Sequence, residues 1–299
     1  MKHCEYAKKL FAEQRISEIK PCDFDGDAPV VCCPVTLPPS EPTSSNCKTN
    51  KVYSNSNSKR PANVGEYPFL AAIGFEGSEN SIKYRCSGTL IADDLVLVPA
   101  HCVIRSSLPV TVKLGMTSLN NDPKDHSEGE DVTIQNIIHH PDYKRQNHQN
   151  DIALIKLNRI ATPNSKYIKP ICLSSSDEDI PKKFTITGFM AVDDNNRKII
   201  SNWTLTEPVE EYLFQKCKEL YKESDRIIFE TQFCGLNPNG TNICQSGPVI
   251  YHTSDGNTFL YGMASYGREC GVNYPDVYTK INQYIDWIYA EVLNFQYFL

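Results

Sequence analysis

Short apolar runs recur along the chain from about residue 66, and turn residues separate them. The runs have the length and the β-branched and aromatic content of strands, and they read YPFLAAIGF, TLIADDLVLVPA, VTVKLG, DIALIKL, KFTITGF, GPVIYH, FLYGMASYG and DVYTKI. A helical period appears only near the end, where Ile281, Ile285, Ile288 and Val292 fall on one face of INQYIDWIYAEVLNF. The pattern therefore predicts an all-β barrel or sandwich with a C-terminal helix packed against it.

The first 60 residues follow a different pattern. Residues 1–35 are too short a stretch to fold without cross-links, and they are rich in cysteine. These cysteines are Cys4, Cys22, Cys32 and Cys33. In residues 36–60, Pro, Ser, Thr and Asn dominate and apolar residues nearly vanish, which is typical of a linker. We therefore predict a small disulfide-rich unit at 1–35, a linker at 36–60 and a large domain at 61–299.

The cysteine count and the charge limit the compartment and the partners. The chain has 299 residues, 12 cysteines and a formal net charge of −6. Because the cysteines do not form CxxC pairs, disulfides are favoured over zinc ligands, and with them an oxidising compartment. The sequence has no long run of Lys and Arg, which argues against nucleic acid as the main partner. No segment has the roughly 18 apolar residues of a membrane span, and residues 1–20 lack the apolar stretch of a signal peptide. We expect a secreted, extracellular protein whose N-terminus is truncated or wrongly placed.

One basic and one acidic side chain, His101 and Asp151, stand in positions suited to catalysis. His101 lies next to Cys102, and a bridge from Cys102 to Cys86 would fix its backbone. Asp151 precedes the apolar strand of NDIALIKL, where a buried carboxylate can hold an imidazole in one tautomer. Taken singly, a structural histidine and an Asn-Asp turn remain the simpler interpretations.

Five motifs together resemble a known family. PAHC, DIALIKL, CQSGP, SYG and PDVYTKI occur in the order and approximate spacing of the trypsin-like serine proteases, over roughly residues 60–292. VVCCP and the linker cysteine Cys47 resemble the clip domain of arthropod clip-domain serine proteases. The resemblance implies a double six-stranded β-barrel with a C-terminal helix, preceded by an incomplete clip domain. It also implies that His101 is the general base, Asp151 its orienting carboxylate and Ser246 the nucleophile.

The chain departs from the family at two places that activation requires. The segment CQSGP is three residues shorter than the family's CxGDSGGP, so Ser246 and the backbone N–H groups beside it are not expected to reach their catalytic positions. Residues 56–59 stand where the family carries an Ile-Val-Gly-Gly segment, and the nearby Arg60 is followed by Pro61. In the family, cleavage frees an apolar N-terminus that inserts and pairs with the Asp preceding the catalytic Ser. Both partners of this activating ion pair are missing here, and we predict a serine protease homologue without catalytic activity.

The resemblance also implies a pocket. Asn242 stands where a trypsin-like member carries an acidic residue at the pocket base, so nothing there would attract Arg or Lys. Ser265, Tyr266 and Gly267 match the edge strand of the pocket. Asp276 stands where a small Gly is usual, and its bulk and charge are expected to narrow or repurpose the pocket.

The implied disulfides involve most of the cysteines. In the protease-like domain they are Cys86–Cys102, Cys217–Cys234 and Cys244–Cys270. Cys47 would pair with Cys172 and tie the linker to the domain, and Cys4 would pair with Cys33. The last pairing would leave Cys22 and Cys32 without partners, which agrees with a missing N-terminal piece, although four cysteines alone allow three pairings.

Metal and modification signals are weak. His126, His139, His140, Asp142 and His148 lack the spacing of a metal site, so a solvated loop is expected there and no metal is assigned. The acidic stretch 125–131 lies near a position where some family members bind calcium, but a plain surface loop is favoured and no cofactor is expected. The sequences Asn202-Trp-Thr and Asn239-Gly-Thr are glycosylation sites if the chain is secreted.

The predicted function is that of a secreted, non-catalytic cofactor or regulator in an extracellular immune proteolytic cascade of the melanization or Toll type. Its implied partners are other clip-domain proteases, proteins of the prophenoloxidase system or microbial surfaces. The alternative is an active trypsin-like endopeptidase whose nucleophile loop and activation segment are wrongly represented in the sequence. A decoy that binds substrates or inhibitors through a remnant cleft is a third interpretation.

Overall fold

The structure is a computed structural model. It describes residues 21–25, 28–31, 59–104, 107–119, 129–161, 166–173, 180, 183–189, 191–194, 197–239, 247–254, 256–268 and 272–297.

Strands dominate the described part of the chain, and helices are few. The strands are β1 (Pro21–Asp25), β2 (Ala28–Val31), β3 (Arg60–Pro61), β4 (Leu70–Glu76), β5 (Ile82–Ala92), β6 (Leu95–Val98), β7 (Pro109–Leu114), β8 (Glu130–His139), β9 (Ala153–Leu157), β10 (Cys172–Leu173), β11 (Lys183–Gly188), β12 (Ala191–Asp194), β13 (Arg197–Ile200), β14 (Leu205–Tyr212), β15 (Gln232–Leu236), β16 (Pro248–His252), β17 (Thr258–Tyr266) and β18 (Asp276–Lys280). The helices are α1 (Ala100–Val103), α2 (Phe214–Lys222) and α3 (Ile285–Tyr297), with 3-10 turns at Ser78–Asn80 and Ile281–Tyr284.

The first half of the large domain forms a closed barrel. Its strands are neighbours in the order β4-β5-β6-β9-β8-β7, all antiparallel. Strand β6 is apolar at every position and fully buried, and so is most of β9, which pairs with it. A strand that is buried on both faces reads as a continuous apolar run, which is why DLVLVPA and DIALIKL are so prominent in the sequence.

The second half forms a second barrel with an aromatic core. Its six strands are neighbours in the order β17-β16-β11-β14-β15-β18, and pairing of β18 with β17 closes the ring. The short strands β10 and β3 extend it along β17 and β14. Its buried core is built largely from rings, namely Phe184, Phe233, Tyr251, Tyr261 and Tyr278. The prediction of an all-β double barrel is confirmed.

The C-terminal helix lies where the helical period places it. Ile281, Ile285, Ile288 and Val292 are all buried, and they belong to the same apolar cluster as the interior of the first barrel. The predicted apolar face is therefore correct. No helix in the described ranges combines the length and the apolar character needed to span a lipid bilayer.

Several elements were not predicted because they carry little apolar signal. Strand β8 has one fully buried position, and strand β14, LTEPVEEY, is interrupted by acidic residues and a proline. Helix α2 buries only Cys217 and Tyr221. The two strands are stabilised by their barrel neighbours and not by a periodic pattern of their own.

The predicted N-terminal unit is described only in part. Strands β1 and β2 pair antiparallel as a hairpin, and β2 contacts helix α3. Cys4, Cys32, Cys33 and Cys47 lie outside the described residues. At the other end of the predicted linker, Arg60 already pairs with Thr206 of the second barrel.

Candidate functional site

His101 is positioned by a buried strand and a disulfide. It lies in helix α1, directly after strand β6 and Pro99. Its neighbour Cys102 is bonded to Cys86 of strand β5 across a sequence separation of 16. A disulfide that closes a loop of this size stabilises the fold by about 3 kcal/mol in the chain-entropy description. The His101 side chain keeps 21% of its surface exposed, so the imidazole is fixed at its base and open to solvent at its tip.

Asp151 is the carboxylate that both barrels contact, and it is fully buried. Its Oδ1 accepts the backbone N–H of His101 at 2.9 Å, and its Oδ2 lies 2.8 Å from Nδ1 of the same residue. From the second barrel, Ser265 donates its hydroxyl to Oδ2 at 2.5 Å, and Thr279 donates to the Asp151 carbonyl oxygen at 3.1 Å. The carboxylate therefore orients the imidazole and joins the two barrels.

The environment of Asp151 keeps it ionised. Burial alone raises the pKa of its carboxyl group. The hydrogen bond from His101, the neighbouring His148 imidazole and the hydroxyl of Ser265 outweigh burial and hold the pKa well below its usual value. A permanent negative charge next to an imidazole is what general-base chemistry at that imidazole requires.

His148 lies against this pair, in a turn that leaves its side chain 25% exposed. Its Nδ1 is 3.5 Å from Oδ2 of Asp151, and its ring meets His101 edge to face with centroids 5.8 Å apart. On its other side the ring packs on Tyr266 at 4.9 Å, and its carbonyl oxygen accepts a bond from Gln232 at 3.1 Å. The sequence signal for this contact was its position three residues before Asp151, which the loop interpretation did not use.

The Asp276 carboxylate packs against the predicted pocket edge at Gly267. A methyl group added to Gly267 would stand 1.8 Å from a carboxylate oxygen of Asp276, so that carboxylate packs directly against the Gly267 backbone. Asp276 is itself only 6% exposed. Burial, and after it the Asp276 carboxylate, raises the pKa of the adjacent Tyr221. The ends of β17 and β18, which would form the pocket walls, are thus bridged by a buried side chain.

Two closed barrels, with His101, Asp151 and Ser265 hydrogen-bonded where they meet, are the features that known proteins share with this chain. Residues 56–288 match the family described as Trypsin. The chain belongs to the trypsin family.

Curated relatives from arthropods extend the trypsin-family match. The chain is 32% identical to phenoloxidase-activating factor 3 of Holotrichia diomphalia over 249 residues, which cover 77% of this chain and 70% of the relative. It is 28% identical to serine protease ea of Drosophila melanogaster over 317 residues, which cover 89% of this chain and 79% of the relative. It is 25% identical to CLIP domain-containing serine protease B15 of Anopheles gambiae over 321 residues, which cover 96% of this chain and 85% of the relative.

Solved structures agree with the fold. Mouse neuropsin, a serine protease expressed in the limbic system of the brain, superposes with a TM-score of 0.62 at 29% identity over 77% of this chain and 96% of its own. The Drosophila Grass clip serine protease of the Toll pathway superposes with a TM-score of 0.70 over 97% of this chain and 92% of its own. At 21% identity, the second likeness concerns the fold alone.

The trypsin-family nucleophile segment is described only from Gly247 onward, and Asn242, Cys244 and Ser246 lie outside the described residues. A Cβ at Gly247 would stand 2.1 Å from the carbonyl oxygen of Thr187, so the backbone runs directly against strand β11 and only glycine fits. The Gly247 carbonyl oxygen accepts the N–H of Ala264 at 3.1 Å. The segment therefore ends at a backbone position that is fixed from two sides.

The start of the trypsin-family domain is held by a buried ion pair. Glu66 is 4% exposed and accepts two bonds from the Arg60 guanidinium, at 3.0 Å and 2.5 Å, and one from the backbone N–H of Asn63 at 2.7 Å. Strand β3, which consists of Arg60 and Pro61, pairs with β14. The Arg60–Pro61 bond therefore lies within a sheet with its arginine side chain engaged, a poor arrangement for a protease to bind and cut.

The disulfides are described in part. The structure contains Cys86–Cys102 and Cys217–Cys234, as the family resemblance implies. Cys172 is disulfide-bonded as well. The expected partner of Cys172, Cys47, and the pairs Cys4–Cys33 and Cys244–Cys270 lie outside the described residues.

The remaining predicted sites lie on the surface. Asn202 and Asn239 are exposed, as sugar attachment requires. In the acidic stretch 125–131, the structure describes the side chains of Glu130 and Asp131. Glu130 pairs with Arg159 at 2.9 Å, and Asp131 pairs with Lys113 at 3.1 Å. These two carboxylates thus have cationic partners from the protein.

Proposed function

We propose that this trypsin-family chain is a secreted, non-catalytic regulator of an extracellular immune proteolytic cascade. The packing of the Asp276 carboxylate against Gly267 is the observation that carries the proposal. A protease of this family binds one substrate side chain in the pocket between these two strand ends, and a buried carboxylate packed against Gly267 at this point supports a pocket that is narrowed. The shortened CQSGP segment and the engaged Arg60 support the same conclusion.

The proposed setting follows from the relatives. Their names include phenoloxidase-activating factor and CLIP domain-containing serine protease, which supports a cascade of the melanization or Toll type. The proposed partners are active clip-domain proteases, proteins of the prophenoloxidase system or microbial surfaces. In this proposal residues 1–35 are a partial clip domain, residues 36–60 a linker and residues 61–299 the protease-like domain, and the exposed Asn202 and Asn239 carry glycans.

An active endopeptidase is the second candidate, and one observation favours it. The Asp151 network has the geometry of a working pair, with His101 oriented by a buried, ionised carboxylate that Ser265 also supports. In this alternative Ser246 is the nucleophile and His101 the general base. The first proposal keeps the same residues as an inherited scaffold that stabilises the contact between barrels.

Covalent labelling of the full-length chain with a fluorophosphonate distinguishes these two candidates. We expect no labelling above that of a Ser246→Ala variant, either before or after limited proteolysis, because the shortened segment does not activate its serine. The sample must be folded and have intact disulfides. Labelling that requires Ser246 would establish the endopeptidase and remove the proposal of a non-catalytic chain.

The surface best suited to a partner lies at Gly267, on the predicted pocket edge. An open cavity of about 920 Å³ is lined by tyrosine and arginine side chains. The guanidinium of Arg226 lies 5.1 Å from the ring centre of Tyr266, and the guanidinium of Arg268 lies 3.9 Å from the ring centre of Tyr274. Both arginines are exposed. Tyrosine and arginine carry a large share of binding energy in protein interfaces, so this cavity is the proposed contact for a cascade protease.

Reconstitution tests the regulatory role and the cavity together. The chain is added to a purified clip-domain protease and prophenoloxidase, and phenoloxidase activity is measured. We expect the chain to change the activity several-fold, and an Arg226→Ala/Arg268→Ala variant to lose most of that effect. Lys183→Ala, which removes a cation that is 75% exposed outside the cavity, should behave as the parent chain. If the parent chain leaves the activity unchanged, the regulatory role in this cascade is wrong.

A further inference from the structure

We propose that the turn formed by residues 144–149 is a proteolytic processing site, cut between Arg145 and Gln146 by a protease that cleaves after basic residues. The turn lies between strands β8 and β9, and Lys144, Arg145 and Gln146 are all exposed. Exposed loop tips with polar residues are the preferred places of proteolytic nicking in folded domains. Water adds across the amide bond, so the cut leaves a carboxylate on Arg145 and an amino group on Gln146.

The guanidinium of Arg145 is available to the pocket of a protease. It makes no hydrogen bond, ion pair or ring contact with any residue that the structure describes. The other arginines with described side chains are all engaged, either by carboxylates (Arg60, Arg159) or over aromatic rings (Arg85, Arg226, Arg268). Binding of Arg145 in a protease pocket therefore breaks no contact of this chain, whereas binding of Arg60 would break its ion pair.

Few bonds close the turn. The N–H of Lys144 donates to the Gln149 carbonyl oxygen at 3.0 Å, and the Asn147 side chain accepts the N–H of Gln149 at 3.1 Å. No residue from 144 to 149 is buried. Segments with few buried contacts open locally while the rest of a domain stays folded. A protease that needs an extended segment in its cleft can therefore obtain one here without unfolding either barrel.

Both sides of the cut stay attached to the domain. Before the cut, the carbonyl oxygen of Asp142 accepts the side-chain N–H of Asn150 at 3.0 Å. After it, Gln232 donates to the His148 carbonyl oxygen at 3.1 Å, and the Tyr284 hydroxyl donates to Oδ1 of Asn150 at 3.0 Å. The cut chain is therefore expected to keep its fold and to be a stable product instead of a first step of degradation.

The cut reaches the candidate site through His148, which follows Gln146 and Asn147 in the chain. His148 and Asn150 have φ of 55° and 54°, a left-handed backbone that is unfavourable for residues other than glycine. The closed turn keeps both residues in this conformation. Once the turn is cut, His148 can return to an ordinary backbone conformation, and its contact with Asp151, in which Nδ1 is 3.5 Å from Oδ2, weakens. Processing would thereby alter the surroundings of Asp151, whichever of the two candidate functions the chain has.

Limited digestion of the full-length, disulfide-intact chain with an arginine-specific endopeptidase tests the site. The products are followed by intact mass and by sequencing of the new amino termini within residues 61–299. We expect Gln146 to be the first of these termini, and the cut chain to keep its elution volume in gel filtration. In Arg145→Gln this cut should disappear, while the folded state is unchanged because the side chain is exposed.

Arg159→Gln is the matched control, because Arg159 is also exposed, directly after strand β9, but is paired with Glu130. Its rate of cutting at Arg145 should stay within about two-fold of that of the parent chain, since the two sites share no partner. A first cut elsewhere within residues 61–299, or no cut in that range, would overturn the proposal.

Hydrogen exchange tests the link between the cut and the candidate site. Amide exchange in residues 147–151 is measured by mass spectrometry on the cut and the uncut chain. We expect it to become at least about 10-fold faster after the cut, because the closure of the turn is lost. Equal exchange rates in the two forms would show that cutting does not loosen His148, and the effect on Asp151 would then be wrong.

Discussion

Replacing Asp151 with alanine is expected to destabilise the folded chain by about 3–5 kcal/mol. The side chain is fully buried and accepts bonds from the His101 backbone and from Ser265. Its removal leaves these buried donors without an acceptor and opens a cavity where the two barrels meet. The loss is measured by urea unfolding of the disulfide-intact protein, as a lower midpoint at unchanged slope.

Asp142→Ala serves as the control for charge removal, because Asp142 is exposed nine residues earlier. Its unfolding free energy should stay within about 0.5 kcal/mol of that of the parent chain. A loss below about 1 kcal/mol in Asp151→Ala would show that the carboxylate does not hold the barrels together.

The pH dependence of this loss follows from the lowered pKa of Asp151. A group whose pKa is lower in the folded state than in the unfolded state adds stability above its unfolded pKa, near 4 for an aspartate. That stability is lost as the pH falls further toward the folded pKa. The difference between the parent and Asp151→Ala should therefore be complete at neutral pH and shrink below about pH 4.

The strands that the sequence predicted are those with continuous burial. DLVLVPA and DIALIKL became β6 and β9, and DVYTKI became β18, because these segments are apolar where the barrel encloses them. Strands β8 and β14 were missed because their residues alternate irregularly between core and solvent. Their pairing is imposed by neighbours in the ring, which local sequence does not encode.

Some residues of the candidate site were also predicted from the sequence, and others were not. Ordered motifs identified His101 and Asp151, because each stands beside a conspicuous strand or cysteine, but they placed Ser265 only on the pocket edge and did not predict its bond to Asp151. The contact of His148 with Asp151 depends on a turn in which both His148 and Asn150 adopt positive φ, at 55° and 54°. The sequence predicted a solvated loop there, since histidine and asparagine are usual in polar turns. The His148 ring packs on Tyr266, a tertiary contact that holds it against Asp151.

Asp276 and Glu66 show how charged residues became structural parts of this fold. Each is buried and each contacts backbone, Asp276 at Gly267 and Glu66 at Asn63. Burial of a carboxylate is costly unless hydrogen bonds or a cation compensate it. Glu66 has the guanidinium of Arg60, so the segment before the first barrel is attached to the domain by an ion pair.

Replacing Phe233 with alanine is expected to cost about 3–5 kcal/mol. Phe233 is 1% exposed and lies at the centre of the aromatic core of the second barrel. Its ring centre is 4.8 Å from that of Tyr261 and 5.0 Å from that of Tyr278. Loss of a ring at this position leaves a cavity that the neighbouring rings cannot fill. Phe259→Ala, at the partly buried edge of the same cluster, should cost clearly less.

The way in which the Phe233 variant unfolds is also informative. Strand β15 carries Phe233 and pairs with β18, and β17 and β18 supply Ser265 and Thr279 to Asp151. A weakened second barrel would therefore withdraw the Ser265 hydroxyl from the buried carboxylate and the Thr279 hydroxyl from the Asp151 carbonyl oxygen. We expect one cooperative urea transition, seen equally by far-UV and near-UV circular dichroism. Two separate transitions would mean that the first barrel remains folded without these donors, and the joining role assigned to Asp151 would then be wrong.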